Sequence, residues 1–386
     1  MNILFVDQFS EPGGAQLALL DILDAVVHRG WNPLLLAPGH GALLQEAAAR
    51  RIPAHSLPMR SLTNGSKTAA DVIRYFADLP VARAEIARLG ALQRADILYI
   101  NGPRLLPAAI GFDIPVIFHA HSFVNGIAPR ALAIHTLRRS KATLMAASRF
   151  AAAPFKWAAR SRTHIVYNGS PDLRTPRERN RRDRLRVGVV GRIAPEKGQL
   201  DFVQAVRKLG TDAACFTIHG SSLFGDVDYD QKVRSLAEGT QVRFEPWSND
   251  FRSIYSNLDI LAVPSLANEA STRVIMEAFS AGVAVIAYPS GGIPEMVDSG
   301  KTGVLTQSAR PDQLASSIRT LLDDRPLLES LTHAGRTEWE RRFTKKRFQT
   351  SVCEVIEATH SGRAAAVRTD ARCRIDSTAS VEHAPR

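Results

Sequence analysis

Short apolar runs alternate with longer amphipathic stretches along almost the whole chain. Runs rich in valine, isoleucine and leucine, without polar alternation, are typical of strands that are buried on both faces of a parallel sheet. The predicted strands are Ile3–Val6, Pro33–Ala37, Ile97–Ile100, Pro115–Phe118, Leu144–Ala146, His164–Val166, Arg186–Val190, Cys215–Ile218, Val242–Phe244, Ile260–Val263 and Val283–Ala287. Their alternation with helical stretches predicts an α/β protein.

The length of 386 residues predicts two domains, because a single hydrophobic core seldom serves so long a chain. A charged stretch without apolar periodicity, residues 174–184, separates the two sets of strands and is interpreted as a linker. The predicted organisation is a first domain at 1–172, a linker at 173–185, a second domain at 186–342, a helix at 343–360 and a disordered tail at 361–386.

The formal net charge of +11 is unevenly distributed. No acidic residue occurs between Asp113 and Asp172, and this interval contains Arg130, Arg138, Arg139, Lys141, Arg149, Lys156, Arg160 and Arg162. One interpretation is a solvated basic face. The other is a surface for anionic lipid or for a phosphate-bearing acceptor.

Composition excludes several classes of protein. No apolar run reaches the ~18 residues that a membrane-spanning helix needs, and the N-terminus lacks the basic start of a signal peptide. The cysteines, Cys215, Cys353 and Cys373, show no C-x-x-C spacing, which favours free thiols in a reducing cytosol. We therefore expect a cytoplasmic protein, with peripheral attachment to the inner face of the cell membrane left open.

Two carboxylates eight residues apart form the most informative motif, Glu269 to Glu277, which reads E-A-S-T-R-V-I-M-E. The first follows the strand-like run 259–264, and the second lies in a run with helical periodicity. A residue in the loop after a parallel strand reaches the crevice at the carboxyl end of the sheet, where ligands bind in open α/β folds.

This motif, with the block from Ala281 to Gly303, resembles the E-x7-E element of the family 4 retaining glycosyltransferases. The resemblance implies the GT-B fold, in which two Rossmann-like domains face each other across a cleft and the last helix crosses back to the first domain. It also implies transfer, with retention, from a UDP- or GDP-sugar to a saccharide or lipid-linked acceptor in cell-envelope polysaccharide synthesis. No cofactor and no metal are expected.

A second motif, G-R-x-x-x-x-K-G from Gly191 to Gly198, lies between a predicted strand and a helix. Release of a nucleoside diphosphate requires cations at the position where negative charge develops. The motif resembles the family's pair of diphosphate-binding cations, which assigns that role to Arg192 and Lys197. The alternative is two exposed charges beside a turn.

The resemblance assigns the transferred sugar to Glu269 and the ribose of the nucleotide to Glu277. The amides of Val274 and Ile275, at the start of the helix, are candidate phosphate ligands. The alternatives are a turn acid and a charge on the helix surface. Ala270-Ser271-Thr272 replaces the Gly-Phe-Gly that is common in the family, so the identity of the sugar is left open.

Two pairs of glycines, Gly13-Gly14 and Gly291-Gly292, are further candidates for contact with the substrate. Gly13 and Gly14 separate the first strand from a helix and resemble the family's N-terminal glycine loop, where a ligand can approach the backbone closely. We also expect the amides of Gly292 and Ile293 to be exposed and to bind hydroxyls or phosphate of the sugar nucleotide. Glu295 is interpreted as a charge that favours the start of a helix, with a contact to the sugar as the alternative.

His119 and His121 end a predicted strand on the same side of the sheet. The resemblance favours His121 as the histidine that faces the reacting sugar, with His119 second, and a histidine that only ends a strand is the alternative. Asp226 and Asp228 match the D-x-D metal signature of the other major glycosyltransferase fold, but the surrounding pattern does not, and we interpret them as a solvated acidic loop.

Two other functions remain open at this stage. A sugar-nucleotide 2-epimerase would use the same fold, with additional acids and a base near the second carbon of the sugar. A basic nucleic-acid-binding protein would account for the net charge, but the sequence contains no zinc finger, RNA-recognition motif or basic zipper, so no nucleic-acid partner is expected.

Overall fold

The computed structural model describes residues 1–11, 13–60, 68–175, 184–210, 212–222, 227–267 and 269–362. Most of the predicted linker and almost all of the predicted disordered tail lie outside these residues, as does Asp226. The domain boundaries therefore stay predictions, whereas the extents of the strands and helices are observed.

Within the described residues, the first sheet has seven strands, all parallel to their neighbours, in the order β3-β2-β1-β4-β5-β6-β7. Their bounds are β1 Asn2–Asp7, β2 Asn32–Pro38, β3 Ala54–Leu57, β4 Ile97–Asn101, β5 Val116–Ala120, β6 Thr143–Ala146 and β7 Thr163–Ile165. The associated helices are α1 Gly14–His28, α2 Ala42–Ala49, α3 Ala69–Gln93, α4 Ile127–Arg139 and α5 Arg149–Ala152. Every residue of β4 and β5 is buried, because helices cover both faces of the sheet, and this explains the unbroken apolar runs.

The second sheet, as far as the structure describes the chain, has six parallel strands in the order β10-β9-β8-β11-β12-β13. Their bounds are β8 Arg186–Val190, β9 Cys215–His219, β10 Arg243–Glu245, β11 Ile260–Val263, β12 Ala284–Ala287 and β13 Val304–Leu305. The helices of this half are α6 Gln199–Leu209, α7 Val227–Ala237, α8 Phe251–Ser256, α9 Arg273–Ala281, α10 Pro311–Asp323 and α11 Arg325–Glu338, and α12 Lys345–Ser361 ends the described chain.

Each sheet has one point at which the strand order reverses. It lies between β1 and β4 in the first sheet and between β8 and β11 in the second. The loops that follow two such strands diverge, which opens a crevice at the carboxyl edge of the sheet. The predicted site residues follow β1, β5, β8, β11 and β12, so they lie at these two edges.

The apolar periodicity of residues 338–358 predicts one continuous helix, but in the structure this stretch is interrupted. α11 ends at Glu338, a π turn occupies Trp339–Phe343, and α12 begins after Thr344, whose hydroxyl accepts the amide of Arg347 (3.2 Å). The physical reason is that the segments before and after Thr344 pack into different hydrophobic cores. Trp339 and Phe343 pack in the second domain, whereas the apolar face of α12 packs against the first domain through Phe348, Val352, Val355 and Ile356. The last helix therefore crosses back, as expected.

Candidate functional site

Three loops meet at the carboxyl edge of the second sheet, after strands β8, β11 and β12. Gly198, in the first loop, has a φ of +71°, and a Cβ there would lie 2.0 Å from the carbonyl oxygen of Pro264 in the second loop. The amide of Leu266 donates to the carbonyl of Glu196 (2.9 Å). Only glycine allows this approach, so the second glycine of the G-R-x-x-x-x-K-G motif holds the two loops in contact.

The third loop supports the backbone of Glu269. The amide of Gly292 donates to the Glu269 carbonyl (2.6 Å), and a Cβ on Gly291 would lie 2.3 Å from the same oxygen. The amide of Ile293 donates to Ser290 O (3.0 Å). The expectation of exposed amides at Gly292 and Ile293 is therefore wrong. Close packing against the loop of Glu269 explains the glycine pair instead.

Lys197 and Glu269 form an ion pair between the first and second loops. The Glu269 carboxylate also accepts the hydroxyls of Ser265 (3.3 Å) and Thr272 (3.2 Å), and its side chain is only 12% exposed. Burial by itself raises the pKa of Glu269, but the ammonium of Lys197 and the two hydroxyls outweigh burial and hold it below its usual value. Glu269 is thus an enclosed, ionised acid rather than a solvated turn residue.

Arg192 lies in the same loop as Lys197 but has a different acidic partner. Its guanidinium is ion-paired with Glu196, and its side chain is 25% exposed. Its carbonyl accepts the side-chain amide of Gln199 (2.8 Å), which fixes the backbone at the start of α6. The two predicted cations are therefore held on one short loop, and each already has a carboxylate partner.

Glu277 is not a charge on the surface of a helix, since it is 4% exposed. Its carboxylate accepts the hydroxyl of Tyr255 (2.9 Å) and lies 3.5 Å from the guanidinium of Arg273, one helical turn earlier on α9. Arg273 also pairs with Asp21 of the first domain (3.4 Å). Sequence reasoning missed Arg273, although its spacing of four residues from Glu277 was an available signal.

The start of α9 differs in part from the expectation. Thr272 precedes the helix without capping it through its side chain, and Val274 is partly exposed. Ile275 is fully buried and its amide donates to Thr272 O (3.1 Å). The assignment of the Ile275 amide as a free phosphate ligand is therefore wrong, because the first turn of the helix already uses it.

The glycine loop of the first domain faces this helix across the cleft. A Cβ on Gly14 would lie 3.8 Å from Cδ of Arg273. Gly13 precedes α1 in an extended conformation, with a φ of −139°, and a Cβ there would lie 3.1 Å from the side-chain oxygen of Gln16. Gly13 and Gly14 thus line the first-domain side of the cleft, opposite Arg273.

His121 and His119 lie at the end of β5 with their ring centres 3.7 Å apart. His121 Nε2 lies 2.8 Å from Asn101 Oδ1, and His119 Nδ1 lies 2.7 Å from the hydroxyl of Tyr99. Burial, with the nearby Arg273 guanidinium, lowers the pKa of His121 to about 3, and burial also lowers the pKa of His119 far below its usual value. Both rings are neutral at pH 7. His119 is fully buried, whereas His121 is partly exposed, so His121 is the better placed to meet a ligand.

Glu295 was expected to act on its own helix but contacts the other domain. Its carboxylate accepts the backbone amides of Arg149 and Phe150 and the hydroxyl of Tyr167, each at 2.8 Å. The acid therefore caps the start of α5 in the first domain. Nothing in the local sequence indicates this role, because the partners lie more than a hundred positions away.

Within the described ranges, no three histidine, cysteine or carboxylate side chains are grouped closely enough to hold a metal ion. Asp228 lies in the first turn of α7, and Asp226 is outside the described residues. Among the described helices, none is both long enough and apolar enough to cross a bilayer.

Residues 184–324 match the family model described as glycosyl transferases group 1. Spore coat protein SA of Bacillus subtilis is 29% identical over 225 residues, which cover 52% of this chain and 59% of that protein. A D-inositol 3-phosphate glycosyltransferase of Corynebacterium kroppenstedtii is 30% identical over 40% of this chain and 37% of that protein. The matched region spans less than two thirds of the length of each relative.

Solved structures extend the likeness to both domains. The Anabaena protein Alr3699/HepE in complex with UDP superposes with a TM-score of 0.80 and 23% identity, over 93% of this chain and 100% of that chain. The sucrose-phosphate synthase of Thermosynechococcus elongatus gives a TM-score of 0.79 with 17% identity, over 94% and 100% of the two chains. At these identities the likeness shows the fold alone. The likeness to the glycosyl transferases group 1 family is therefore confined to the second domain, whereas the two domains together have the GT-B fold.

Proposed function

We propose that this protein is a glycosyltransferase that moves a sugar from a nucleotide-sugar donor to a hydroxyl acceptor with retention of configuration. One observation carries the proposal most directly. Lys197 is ion-paired with Glu269 beside the strand-order reversal of the second sheet, on the loop that also holds Arg192. Two cations beside an enclosed acid fit a substrate that joins a diphosphate to a sugar.

In the proposed reaction the bond between the anomeric carbon and the diphosphate oxygen breaks, and a bond to the acceptor oxygen forms. Arg192 and Lys197 stabilise the charge that develops on the departing diphosphate. Glu269 orients the sugar, and Glu277 binds the ribose of the nucleotide. The proton of the acceptor hydroxyl passes to the departing phosphate. His121, with Gly13 and Gly14, contacts the reacting sugar from the first domain.

UDP-sugars are the first donors to test. Alr3699/HepE was solved with UDP and with UDP-glucose, and it shares the fold over almost the whole chain. The corynebacterial relative is called a D-inositol 3-phosphate glycosyltransferase. Phosphate-bearing acceptors are therefore the first acceptors to test with these donors. GDP-sugars form the comparison set.

The test is an acceptor-dependent release of UDP or GDP, followed by analysis of the anomeric configuration of the product. We expect nucleotide release only when an acceptor is present, and a product with the configuration of the donor. Conversion of the donor to its C2 epimer without an acceptor would favour the epimerase instead. Activity that survives EDTA is expected, because Arg192 and Lys197 supply the positive charge at the diphosphate.

We further propose peripheral attachment to an anionic membrane through the basic interval between Asp113 and Asp172. The sequence offers Leu132 and Leu137 for shallow contact with lipid, but Leu137 is fully buried, so it cannot make that contact. Ile127 is 91% exposed and Trp157 is 76% exposed, and they supply the apolar contact instead. Several basic residues, each contributing about 1 kcal/mol near an anionic surface, suffice for reversible binding.

Liposome co-sedimentation tests this attachment. Binding should require anionic lipid, fall with added salt and weaken when Arg138, Arg139 and Lys141 are changed to serine. Trp157→Ser should weaken binding as well. Binding that is indifferent to lipid charge would remove the membrane proposal and leave the transferase proposal intact.

A further inference from the structure

A row of polar side chains, two of them buried and one half-buried, links three neighbouring strands of the first sheet to the cleft. Asp7 ends β1 and Asn101 ends β4, and the two are paired in register. Asn101 Nδ2 donates to Asp7 Oδ2 (2.5 Å), and Asn101 Oδ1 lies 2.8 Å from Nε2 of His121, which follows β5. Asp7 is fully buried and Asn101 almost fully, so water does not compete for these contacts.

The donor and acceptor roles along this row follow from the chemistry of Asp7. Its Oδ1 accepts the backbone amide of Phe9 (2.8 Å) and the side-chain amide of Gln16 (3.0 Å), and its Oδ2 faces Asn101. An ionised carboxylate can only accept hydrogen bonds. Asn101 must therefore turn its NH₂ group toward Asp7 and its carbonyl oxygen toward His121. The hydrogen of the neutral His121 ring is consequently on Nε2.

The other ring nitrogen of His121 is then an acceptor. Nδ1 is buried and has no hydrogen-bond partner in the part of the chain that the structure describes. A buried polar atom without a partner is costly, which points to a ligand group that completes it. The His121 ring is close enough to Arg273 of the second domain for the guanidinium to affect its charge, and Arg273 itself pairs with Asp21 of the first domain, so the ring lies beside the region where the two domains meet.

We propose that Asp7 and Asn101 are positioning residues that hold His121 in the Nε2–H tautomer, so that Nδ1 accepts a hydrogen bond from a hydroxyl of the sugar substrate. The identity of the ligand rests on the proposed transferase function. The relation between Asp7 and the tautomer of His121 does not, because it follows from hydrogen bonds within the first domain.

In Asp7→Asn we expect the tautomer of His121 to change. The Phe9 amide is part of the backbone and cannot reverse its role, so the substituted side chain keeps its carbonyl oxygen toward Phe9 and turns its NH₂ toward Asn101. Asn101 then reverses and presents its own NH₂ to Nε2 of His121. The hydrogen of the ring moves to Nδ1, which can no longer accept.

The test is nitrogen NMR of the full-length protein with 15N-labelled histidine at pH 7.5. The chain has 11 histidines, and His121→Gln identifies the resonances of His121 by their loss. We expect the hydrogen on Nε2 in the wild type and on Nδ1 in Asp7→Asn. Tyr99→Phe is the matched control, since it removes the partner of the neighbouring His119 and should leave the His121 tautomer unchanged.

Kinetics supply a second readout. Asp7→Asn should lower kcat roughly tenfold, the effect of losing one hydrogen bond, with little change in KM for the sugar nucleotide. The same change made in a His121→Gln background should have no additional effect on kcat, whereas a merely structural role of Asp7 would slow both backgrounds equally.

A wild-type tautomer with the hydrogen on Nδ1, or an unchanged tautomer in Asp7→Asn, overturns the proposal whatever the activity. The wild-type measurement does not depend on the folding of Asp7→Asn. Failure of the proposed function is distinct: the tautomers would behave as expected but the wild type would transfer no sugar from any nucleotide donor. That result would overturn the sugar hydroxyl as the ligand of Nδ1.

Discussion

At the scale of single residues, the site depends on Lys197 serving two groups. In the structure it neutralises Glu269, and in the proposed reaction it faces the departing diphosphate. We expect Lys197→Met to lower kcat by ~10²-fold, because one preformed electrostatic contact contributes on the order of 3 kcal/mol at a transition state. Arg192→Ala should have a similar effect, and initial rates of nucleotide release measure both.

Lys208→Met is the matched control for these variants. Lys208 is on α6 of the same domain, is 54% exposed and pairs with Asp312 on the surface, so its loss should leave the rate unchanged. Near-native turnover in the Arg192→Ala, Lys197→Met double variant would contradict the assignment of the diphosphate site.

Substitutions of the two acids of the E-x7-E motif should affect nucleotide binding differently. Glu277→Gln should weaken the binding of free nucleoside diphosphate, because its proposed partner is the ribose, whereas Glu269→Gln should leave that binding nearly unchanged and lower kcat. Isothermal calorimetry with UDP and GDP measures the first effect. Equal loss of binding in both variants would show that the division of roles is wrong.

Asp7 makes stability depend on pH in a defined direction. Burial, opposed by hydrogen bonds from Asn101, Phe9 and Gln16, raises its pKa from 3.8 to about 6. The folded form therefore binds more protons than the unfolded form between these values, and stability falls as pH rises through this window. Asp7→Asn should raise the free energy of unfolding by about 2–3 kcal/mol at pH 8, with no gain below pH 3.8. Urea unfolding at the two pH values measures the difference, and an equal effect at both would contradict it.

At the scale of elements, two glycines in the left-handed conformation next to helices differ in their surroundings. Gly198, before α6, has a φ of +71° and no room for a Cβ beside Pro264, whereas Gly282, after α9, has a φ of +68° and no atom closer than 3.8 Å to a Cβ. Gly282→Ala should cost about 1–2 kcal/mol for the backbone conformation alone. Gly198→Ala should cost clearly more and reduce activity, because the contact between the first two loops must open. Urea unfolding and rate measurements compare the pair, and equal costs would show that the contact is dispensable.

At the scale of the whole molecule, Glu295 connects the two domains by accepting three hydrogen bonds from the first. Glu295→Ala leaves these groups without their partner in the observed arrangement of the domains, at a cost of about 1–3 kcal/mol for each group that stays buried. We therefore expect this arrangement to be less populated, with a larger radius of gyration by small-angle X-ray scattering.

Glu329→Ala is the control for this domain contact, since Glu329 is exposed on α11 of the same domain. The radius of gyration should not change in this variant. An unchanged radius in Glu295→Ala as well would mean that other contacts, such as the pair of Arg273 with Asp21, suffice to hold the domains together.

The sequence by itself determined most of the strands and the position of the loops at the site. Strands buried on both faces must be continuously apolar, so β1, β4, β8 and β11 are visible as short hydrophobic runs, whereas the partly buried β3 and β13 were not predicted. The loops of Arg192, Lys197 and Glu269 were placed at the carboxyl edge of the sheet because they follow such strands, and the roles expected of these residues came from the family resemblance.

The tertiary structure decided every feature whose partners are distant in the chain. The break after Glu338 arises because Trp339 and Phe348 serve cores in different domains. The amides of Gly292 and Ile275 proved to be used internally, and Asp21 reached Arg273 across 252 positions. Asp7, Asn101 and His121 share no motif and meet only because β1, β4 and β5 are neighbours in the sheet. Periodicity reports which side chains are buried, but only the packed fold reports which side chain each one meets.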